Sequence, residues 1–201
     1  MVLLADSFSA RSLTLICRIR DRPITPEKEW PSDAYGALKF LQSRPDVQPD
    51  KIALMGFSDG AMTLLWMIKT DAPQRLEGLQ HDFRAAIGFY PGCVQVAKRP
   101  FATKIPTIIQ FGALDGWTLP EPCRGLIEGA GAAGSPVAID VHPGAYHNFD
   151  HPSAKVRTIV TKNSAYASGE KEVHTGTNNE ARAKAIENVA AFLGRWLDGA
   201  N

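Results

Sequence analysis

The fold class is decided by the stretch KIALMGFSDGAMTLLW, residues 51–66. Residues 51–55 form an apolar run typical of a buried strand, and residues 58–69 favour a helix. Between them lies the turn Gly56-Phe57-Ser58-Asp59-Gly60, of the type Gly-x-Ser-x-Gly. In such a strand–turn–helix unit, the glycines allow close backbone approach and the turn exposes the serine Oγ above the sheet edge. Ser58 is therefore a candidate nucleophile, and an ordinary glycine-rich turn with a helix-capping serine is the simpler alternative.

Outward from this stretch, short β-rich runs alternate with helical patterns, which favours a mostly parallel sheet with helices on both faces. The expected strands are residues 2–5, 51–55, 85–89, 106–111 and 137–141. The expected helices are 32–44, with Ser32 as N-cap and Pro45 as the stop, 58–69, 121–130 and 181–197. Residues 161–177 are polar and rich in small residues, and we expect an exposed excursion there. A length of 201 residues suits a single domain.

Composition limits the classes of function. The chain is 44% hydrophobic and 21% charged with a net charge of +1, which gives no electrostatic reason for a nucleic-acid or membrane partner. No apolar run reaches the roughly 18 residues that span a bilayer, and residues 1–5 are too short for a signal peptide. Three cysteines, Cys17, Cys93 and Cys123, without a Cys-x-x-Cys pair, favour buried thiols over a disulfide framework and leave one bridge open.

A serine nucleophile needs a base that a carboxylate orients. Asp115 follows the strand expected at 106–111, and His147 lies in the loop after the next strand. Because the carboxyl ends of parallel strands meet at one edge of a sheet, we expect Ser58, Asp115 and His147 to come together there. Their chain order, Ser–Asp–His, is the order expected for a catalytic triad in a fold of this kind.

Other residues of the same types compete for these roles. They are Asp140 and Asp150 for the acid, and His81, His142, His151 and His174 for the base. Asp140 lies within a strand and Asp150 lies very near His147 in sequence, so neither suits the acid. A metal site formed by His142, His147, Asp150 and His151 is an alternative, but no helical His-x-x-x-His face accompanies these residues. We therefore expect no metal.

Four segments resemble the dienelactone hydrolase family: GFSDGA (56–61), GFYPG (88–92), GALD (112–115) and HPGAYHNF (142–149). The resemblance covers about residues 2–197 and implies one α/β-hydrolase domain acting on lactones or small esters without a cofactor. Dienelactone hydrolase itself carries a cysteine where this chain has Ser58. That departure favours the serine-bearing relatives and argues against dienelactone as the substrate.

The resemblance also implies binding residues. Residues 6–11 are similar to the segment in which the family carries a substrate-facing arginine, so Arg11 is expected to bind a substrate carboxylate, or else to be structural. The backbone N–H of Asp59, at the start of the helix, is one expected oxyanion donor. Four aromatic residues are expected to wall the pocket, or simply to pack: Phe57, Tyr90, Trp117 and Tyr146.

In the implied fold, the strand at 2–5 would be the fourth, and three earlier strands are not in the sequence. One of them normally lies beside the Ser58 strand and supplies the second oxyanion donor, which is worth about 2.7–4 kcal/mol of barrier. We expect the chain to be an N-terminally truncated copy of a longer enzyme, with a short, re-paired and weakly active protein as the alternative. Any export signal would lie in the absent segment, so both a cytoplasmic and a periplasmic location stay open.

The triad pattern and the resemblance together predict hydrolysis of a small carboxylic ester or lactone through an acyl-enzyme. A peptidase or acyl transferase on the same fold remains open, since a triad does not select the acyl acceptor. A non-catalytic fragment or binding module also remains open for this chain.

Overall fold

The computed structural model describes residues 1–14, 16, 22–161 and 171–199. The helices are α1 (Glu29–Gln42), α2 (Asp59–Met67), α3 (Pro120–Ala132) and α4 (Asn179–Leu193), which continues into a π-helical turn (Gly194–Asp198). The strands are β1 (Ala53–Phe57), β2 (Ala85–Phe89), β3 (Thr107–Gly112), β4 (Val137–His142), β5 (Arg157–Thr161) and β6 (Lys171–Thr175). Short 3₁₀ turns lie at Ser9–Arg11 and Val96–Lys98.

Strands β1 to β4 form one parallel sheet in chain order, and β5 pairs antiparallel with β6 in a separate ribbon. Helix α2 covers one face, since a Cβ at Gly88 would lie 3.5 Å from an α2 side chain. Gly88 pairs with Ile109, so the next residue, Gln110, points to the opposite face. There, Asn188 of α4 and Gln110 donate to the same Asp140 carboxylate oxygen. The predicted parallel sheet with helices on both faces is confirmed.

The predicted central strands are confirmed within one residue at each end. Strands β2 and β3 are buried along their whole length, which is why their continuous apolar runs were readable in the sequence. The strand before Ser58 begins two residues later than expected, at Ala53, and extends through Phe57. The helices after Ser58, around 121–130 and near the C-terminus are likewise confirmed, with ends that differ by a few residues.

The prediction of a buried strand at residues 2–5 is wrong. Val2 is 85% exposed and Leu4 87% exposed, and neither belongs to a strand. Within the described ranges, β1 is an edge strand whose only ladder partner is β2. An apolar run without a neighbouring strand has no backbone partners, so it does not form a strand of its own.

Helix α1 begins three residues before the predicted N-cap, Ser32. Pro31 lies in its first turn, where the missing N–H is not needed, so the proline does not delay the start. The Glu29 carboxylate accepts hydrogen bonds from the N–H and the hydroxyl of Thr25, which fixes the chain entering the helix. Pro31 is therefore part of the helix.

The prediction of an exposed excursion at 161–177 is wrong for its second half. Residues 162–170 lie outside the described residues, but β6 is a strand in which Val173 and Thr175 are buried. Val173 and Thr175 alternate with the exposed Glu172 and His174, the period of two that marks a half-buried strand. The polar composition of the surrounding residues hid this short alternation.

Cys93 and Cys123 form a disulfide, which corrects the expectation of free buried thiols. Cys93 follows β2, and Cys123 lies in the first turns of α3, so the bridge ties the loop after β2 to the helix that follows β3. The two residues are 30 positions apart, and only the fold brings them together. Cys17, the third cysteine of the prediction, lies outside the described residues.

Candidate active site

Ser58 stands between β1 and α2 in a strained backbone conformation, with φ 49° and ψ −114°. A non-glycine residue rarely adopts a positive φ, and such strain is typical of functional turns. A Cβ at Gly56 would overlap the carbonyl group of Gly60, so only glycine fits at position 56. A Cβ at Gly60 would meet nothing within 4 Å, so the predicted need for a glycine there is not seen. The close approach of the end of β1 to the backbone of α2 therefore depends on Gly56 alone.

Ser58, His147 and Asp115 are joined by two hydrogen bonds. His147 Nδ1 lies 2.8 Å from Asp115 Oδ2, and His147 Nε2 lies 3.2 Å from Ser58 Oγ. Because a carboxylate only accepts, Nδ1 carries the proton, and Nε2 is left to accept the serine hydroxyl. The Asp115 side chain is fully buried and the His147 side chain nearly so. The geometry therefore allows the imidazole to remove the serine proton.

The Asp115 carboxylate is held on both oxygens. Its Oδ1 accepts the backbone N–H groups of Trp117 (2.8 Å) and Thr118 (3.0 Å). The Thr118 hydroxyl lies 3.0 Å from Asp115 Oδ2, 3.0 Å from the Tyr90 carbonyl oxygen and 3.2 Å from His147 Nδ1. Sequence reasoning missed Thr118; the available signal was a hydroxyl residue three positions after the acid, a spacing typical of an Asx-type turn.

Tyr90 packs against the imidazole and has an unusual backbone, with φ 42°. Its ring centroid lies 4.4 Å from that of His147, and its hydroxyl donates to Asp150 Oδ1 at 2.6 Å. Burial, and then the negative charge of Asp150, raise the pKa of Tyr90 well above its usual value. Tyr90 therefore stays protonated and fixes Asp150, a rival acid of the sequence analysis, away from His147.

The other predicted pocket residues divide into two groups. The Trp117 ring centroid lies 5.0 Å from that of His147, so Trp117 and Tyr90 both contact the imidazole. Phe57 stacks on Phe89 with 4.9 Å between ring centroids and is 45% exposed. Tyr146 stacks on His174 of β6, at 5.2 Å. Phe57, the residue before Ser58, therefore packs on the neighbouring strand, whereas Tyr146 packs on the β5–β6 ribbon.

Arg11 is bound by Asp33 through two hydrogen bonds of 2.8 Å and does not join the hydrogen-bonded residues around Ser58. A different arginine contacts the Ser58 turn: Arg22 donates to the Asp59 carboxylate at 2.8 Å, and both side chains are mostly buried. The Asp59 N–H lies in the first turn of α2, where backbone donors have no helical partner. Arg22 therefore holds the residue that directly follows Ser58, and nothing in the sequence distinguished Arg22 from its neighbours.

The competing histidines take other roles. Nε2 of His142 is 2.7 Å from Gln110 Oε1, and burial lowers the pKa of His142 below its ordinary value. His151 is exposed and accepts the Ser153 N–H on Nδ1, and His174 stacks on Tyr146. His81 is exposed, and its backbone carbonyl accepts a bond from a glutamine of α1. Among the described residues, no group of three or more His, Cys, Asp or Glu side chains is placed to hold a metal ion.

The parallel sheet, the strained Ser58 turn and the carboxyl-edge position of Asp115 and His147 define an α/β-hydrolase fold. A family model described as "Dienelactone hydrolase family" matches residues 18–197. The chain therefore belongs to the dienelactone hydrolase family, as its motifs suggested. No curated protein matches the sequence. No helix of the described chain is long and apolar enough to cross a membrane.

Several solved structures share this fold. A thermophilic esterase from Thermogutta terrifontis with bound propionate is 19% identical, with a TM-score of 0.59, and the match covers 86% of this chain and 66% of that one. The same organism's esterase 2 phosphorylated by paraoxon is 19% identical, with coverages of 87% and 66% and a TM-score of 0.61. A dienelactone hydrolase-like promiscuous phosphotriesterase from metagenomic libraries is 20% identical, with coverages of 84% and 62% and a TM-score of 0.58. This chain thus spans slightly less than two thirds of their lengths.

Proposed function

We propose that this protein hydrolyses small carboxylic esters or lactones through an acyl-enzyme formed on Ser58. The observation that carries the proposal is the hydrogen-bonded chain from Ser58 Oγ through His147 to the buried carboxylate of Asp115. Membership in the dienelactone hydrolase family supports the reaction class. Structures of the same fold include an esterase with bound propionate, an esterase phosphorylated by paraoxon and a promiscuous phosphotriesterase, and they support a site that acts on esters.

In the first half-reaction, the Ser58 oxygen attacks the ester carbonyl carbon while its proton passes to His147 Nε2. The imidazolium then gives this proton to the leaving alkoxide as the C–O bond breaks, which frees an alcohol or, for a lactone, opens the ring. In the second half-reaction, water gives a proton to Nε2 as its oxygen attacks the acyl carbon. The bond between this carbon and the Ser58 oxygen then breaks, and Nε2 returns the proton to the serine oxygen. The products are a carboxylic acid and the free serine.

The environment of the imidazole suits this cycle. Asp115 lies against Nδ1 and stabilises the imidazolium, while Tyr90 and Trp117 enclose the ring and limit its rotation. The Asp59 N–H is the proposed oxyanion donor, because it follows the nucleophile and points from the amino end of α2. The ion pair with Arg22 keeps Asp59 in this position.

The acyl group is proposed to be short. The ring of Phe57, which precedes the serine, lies 6.5 Å from the ring of Tyr90, which packs on the imidazole. The esterase from T. terrifontis is a structure with bound propionate. The proposal does not assign the substrate carboxylate to Arg11, because Asp33 already occupies both of its terminal nitrogens. A nitrophenyl propionate is therefore a suitable first substrate.

The experiment compares the wild-type chain with Ser58→Ala and with the matched control Ser153→Ala, whose serine is exposed and lies outside the hydrogen-bonded chain. We expect Ser58→Ala to lower kcat/KM by at least about 10³-fold while Ser153→Ala leaves it unchanged. Undiminished turnover in Ser58→Ala would refute the assignment.

Turnover of peptide bonds or transfer to added alcohols in preference to hydrolysis would point to the peptidase or acyl transferase alternative. A folded wild-type chain without turnover would support a binding module.

A further inference from the structure

A cavity of about 320 Å³ lies beside the loop that carries His147, where this loop meets the β5–β6 ribbon. Its lining includes Asn148, His151, Lys155, Arg157 and Gly176. The lining contains neither Ser58 nor His147 itself, so the cavity lies behind the catalytic loop and not over the nucleophile. Its volume is at the lower end of the range for small-molecule sites.

The walls of this cavity are tied together by backbone hydrogen bonds. The Gly176 N–H and the Thr175 hydroxyl both donate to the His147 carbonyl oxygen, at 3.0 and 2.9 Å. The next residue, Thr177, donates its N–H to the Ala154 carbonyl at 2.9 Å. A Cβ at Gly176 would collide with the backbone of Val156, so the two walls approach as closely as glycine allows. The cavity is therefore preformed, and a ligand would not have to order it.

The charge of the lining is of one sign. Lys155 and Arg157 are the charged residues of the lining, and no aspartate or glutamate accompanies them. Within the described part of the chain, neither forms an ion pair, whereas Arg11, Arg44 and Arg75 each bind an aspartate. Two cations that line the same cavity, without a counter-charge in its lining, raise the local concentration of anions.

The strand register directs Arg157 toward the cavity. Arg157 pairs with Thr175 in the β5–β6 ladder, and paired residues of an antiparallel ladder share one face. The Thr175 hydroxyl reaches the His147 carbonyl, so this face is the one turned toward the body of the protein. Val173, two residues before Thr175 on the same face, is buried. The Arg157 side chain thus lies on the inward face of the ribbon, where it lines the cavity and remains exposed.

Two neutral side chains of the lining, His151 and Asn148, are also hydrogen-bond donors. His151 Nδ1 accepts the Ser153 N–H, so the neutral imidazole carries its proton on Nε2 as a donor. The Asn148 amide oxygen lies 3.5 Å from the Tyr90 hydroxyl, which leaves the amide NH₂ as the donor end of that side chain. Four of the five polar side chains of the lining can therefore offer N–H groups, the pattern that suits an oxyanion. The fifth, Thr175, donates its hydroxyl to the His147 carbonyl oxygen.

We propose that this cavity binds the anionic group of a small molecule, a carboxylate or a phosphate, with Arg157 and Lys155 as its cationic partners. The site is separate from ester hydrolysis at Ser58 and does not depend on it. Because Thr175 and Gly176 of the lining anchor the His147 carbonyl, an occupied cavity stabilises the loop that carries the imidazole.

The test uses the full chain with Ser58→Ala, so that no hydrolysis interferes, and titrates inorganic phosphate, succinate and the neutral succinamide by calorimetry at low ionic strength. Phosphate or succinate is expected to bind and to raise the melting temperature, while succinamide does neither. Adding Arg157→Gln is expected to weaken binding about tenfold or more, since a charge-assisted pair is lost, and adding Lys155→Gln several-fold. The anion that binds more tightly identifies the ligand as a phosphate or a carboxylate.

The matched control is Lys39→Gln with Arg124→Gln in the same background, which removes one lysine and one arginine charge from helices away from the cavity. It is expected to leave the anion affinity unchanged. The proposal is overturned if neither anion binds the folded protein at ~10 mM, a limit that corresponds to less than about 3 kcal/mol of binding free energy. It is also overturned if the control pair weakens binding as much as Arg157→Gln does, because the effect would then be one of net charge.

Discussion

Removing the disulfide between Cys93 and Cys123 is expected to lower the free energy of unfolding by about 3.6 kcal/mol at 25 °C. The bridge closes a loop of 30 residues, and in the chain-entropy account such a loop removes roughly 12 cal/mol/K from the unfolded ensemble. Both cysteines are completely buried, so the double variant Cys93→Ala/Cys123→Ala is preferable to serine, which would leave two hydroxyl groups without water. The loss is a large fraction of the stability of an ordinary domain.

Urea unfolding followed by circular dichroism measures this loss. With an m-value of about 2.5 kcal/mol/M, the midpoint is expected to fall by about 1.5 M in the double variant. Wild-type protein unfolded in the presence of a reductant should give the same low midpoint, and Cys17→Ala, the control, should keep the wild-type value. A midpoint shift below about 0.4 M, equivalent to ~1 kcal/mol, would refute the reasoning.

Three further predictions concern the site and its support. Thr118→Val removes the hydroxyl beside Asp115 and should lower kcat/KM about 10- to 100-fold, whereas Thr118→Ser, which keeps the hydroxyl, should stay near the wild-type value. Equal losses of kcat/KM in both variants would contradict the role of the hydroxyl. In urea unfolding, Gly56→Ala should lower the free energy of unfolding by more than about 2 kcal/mol, whereas Gly60→Ala, at an open helical position, should leave it unchanged or raise it. Equal effects of the two variants would count against a close backbone approach at position 56. Burial lowers the pKa of His142, so the unfolded chain binds more protons than the folded one, and the free energy of unfolding falls as the pH drops below about 6.5. In His142→Gln, urea unfolding should show a smaller loss of stability between pH 7 and pH 5 than in the wild type. A loss equal to that of the wild type would contradict this role of His142.

The parts of the fold readable from sequence are those fixed by local pattern. Residues 85–89 are apolar at every position because both faces of β2 are covered, and the structure confirms that strand without any shift. The turn at Ser58 was readable because its strand, glycines and helix are contiguous. Asp115 and His147 were placed beside it because the carboxyl ends of parallel strands must meet at one edge.

The parts that escaped prediction depend on partners distant in sequence. Residues 2–5 have the composition of a strand, but strand formation needs a neighbour, and none lies beside them in the described chain. The bridge from Cys93 to Cys123 and the ion pair from Arg22 to Asp59 each join segments that only the folded chain brings together. Strand β6 was not predicted because its alternation of buried and exposed residues extends over only five positions.

The contacts that orient the candidate site are likewise non-local. Thr118 contacts Asp115, His147 and the Tyr90 carbonyl at once, and its spacing in the sequence indicates only the contact with Asp115. Asp150 was set aside because it is near His147 in sequence. The structure adds a physical reason, since Asp150 is bound to the Tyr90 hydroxyl instead of the imidazole.

The measurement that tests the central claim most directly is labelling of the folded chain with a fluorophosphonate probe, followed by peptide mass spectrometry. An activated serine is expected to carry the adduct on the peptide that contains Ser58, and the adduct should disappear in Ser58→Ala and fall sharply in His147→Gln. Ser153→Ala should be labelled like the wild type. A folded wild-type chain that takes up no probe, or an adduct that persists in Ser58→Ala, would contradict the assignment of Ser58 as the nucleophile.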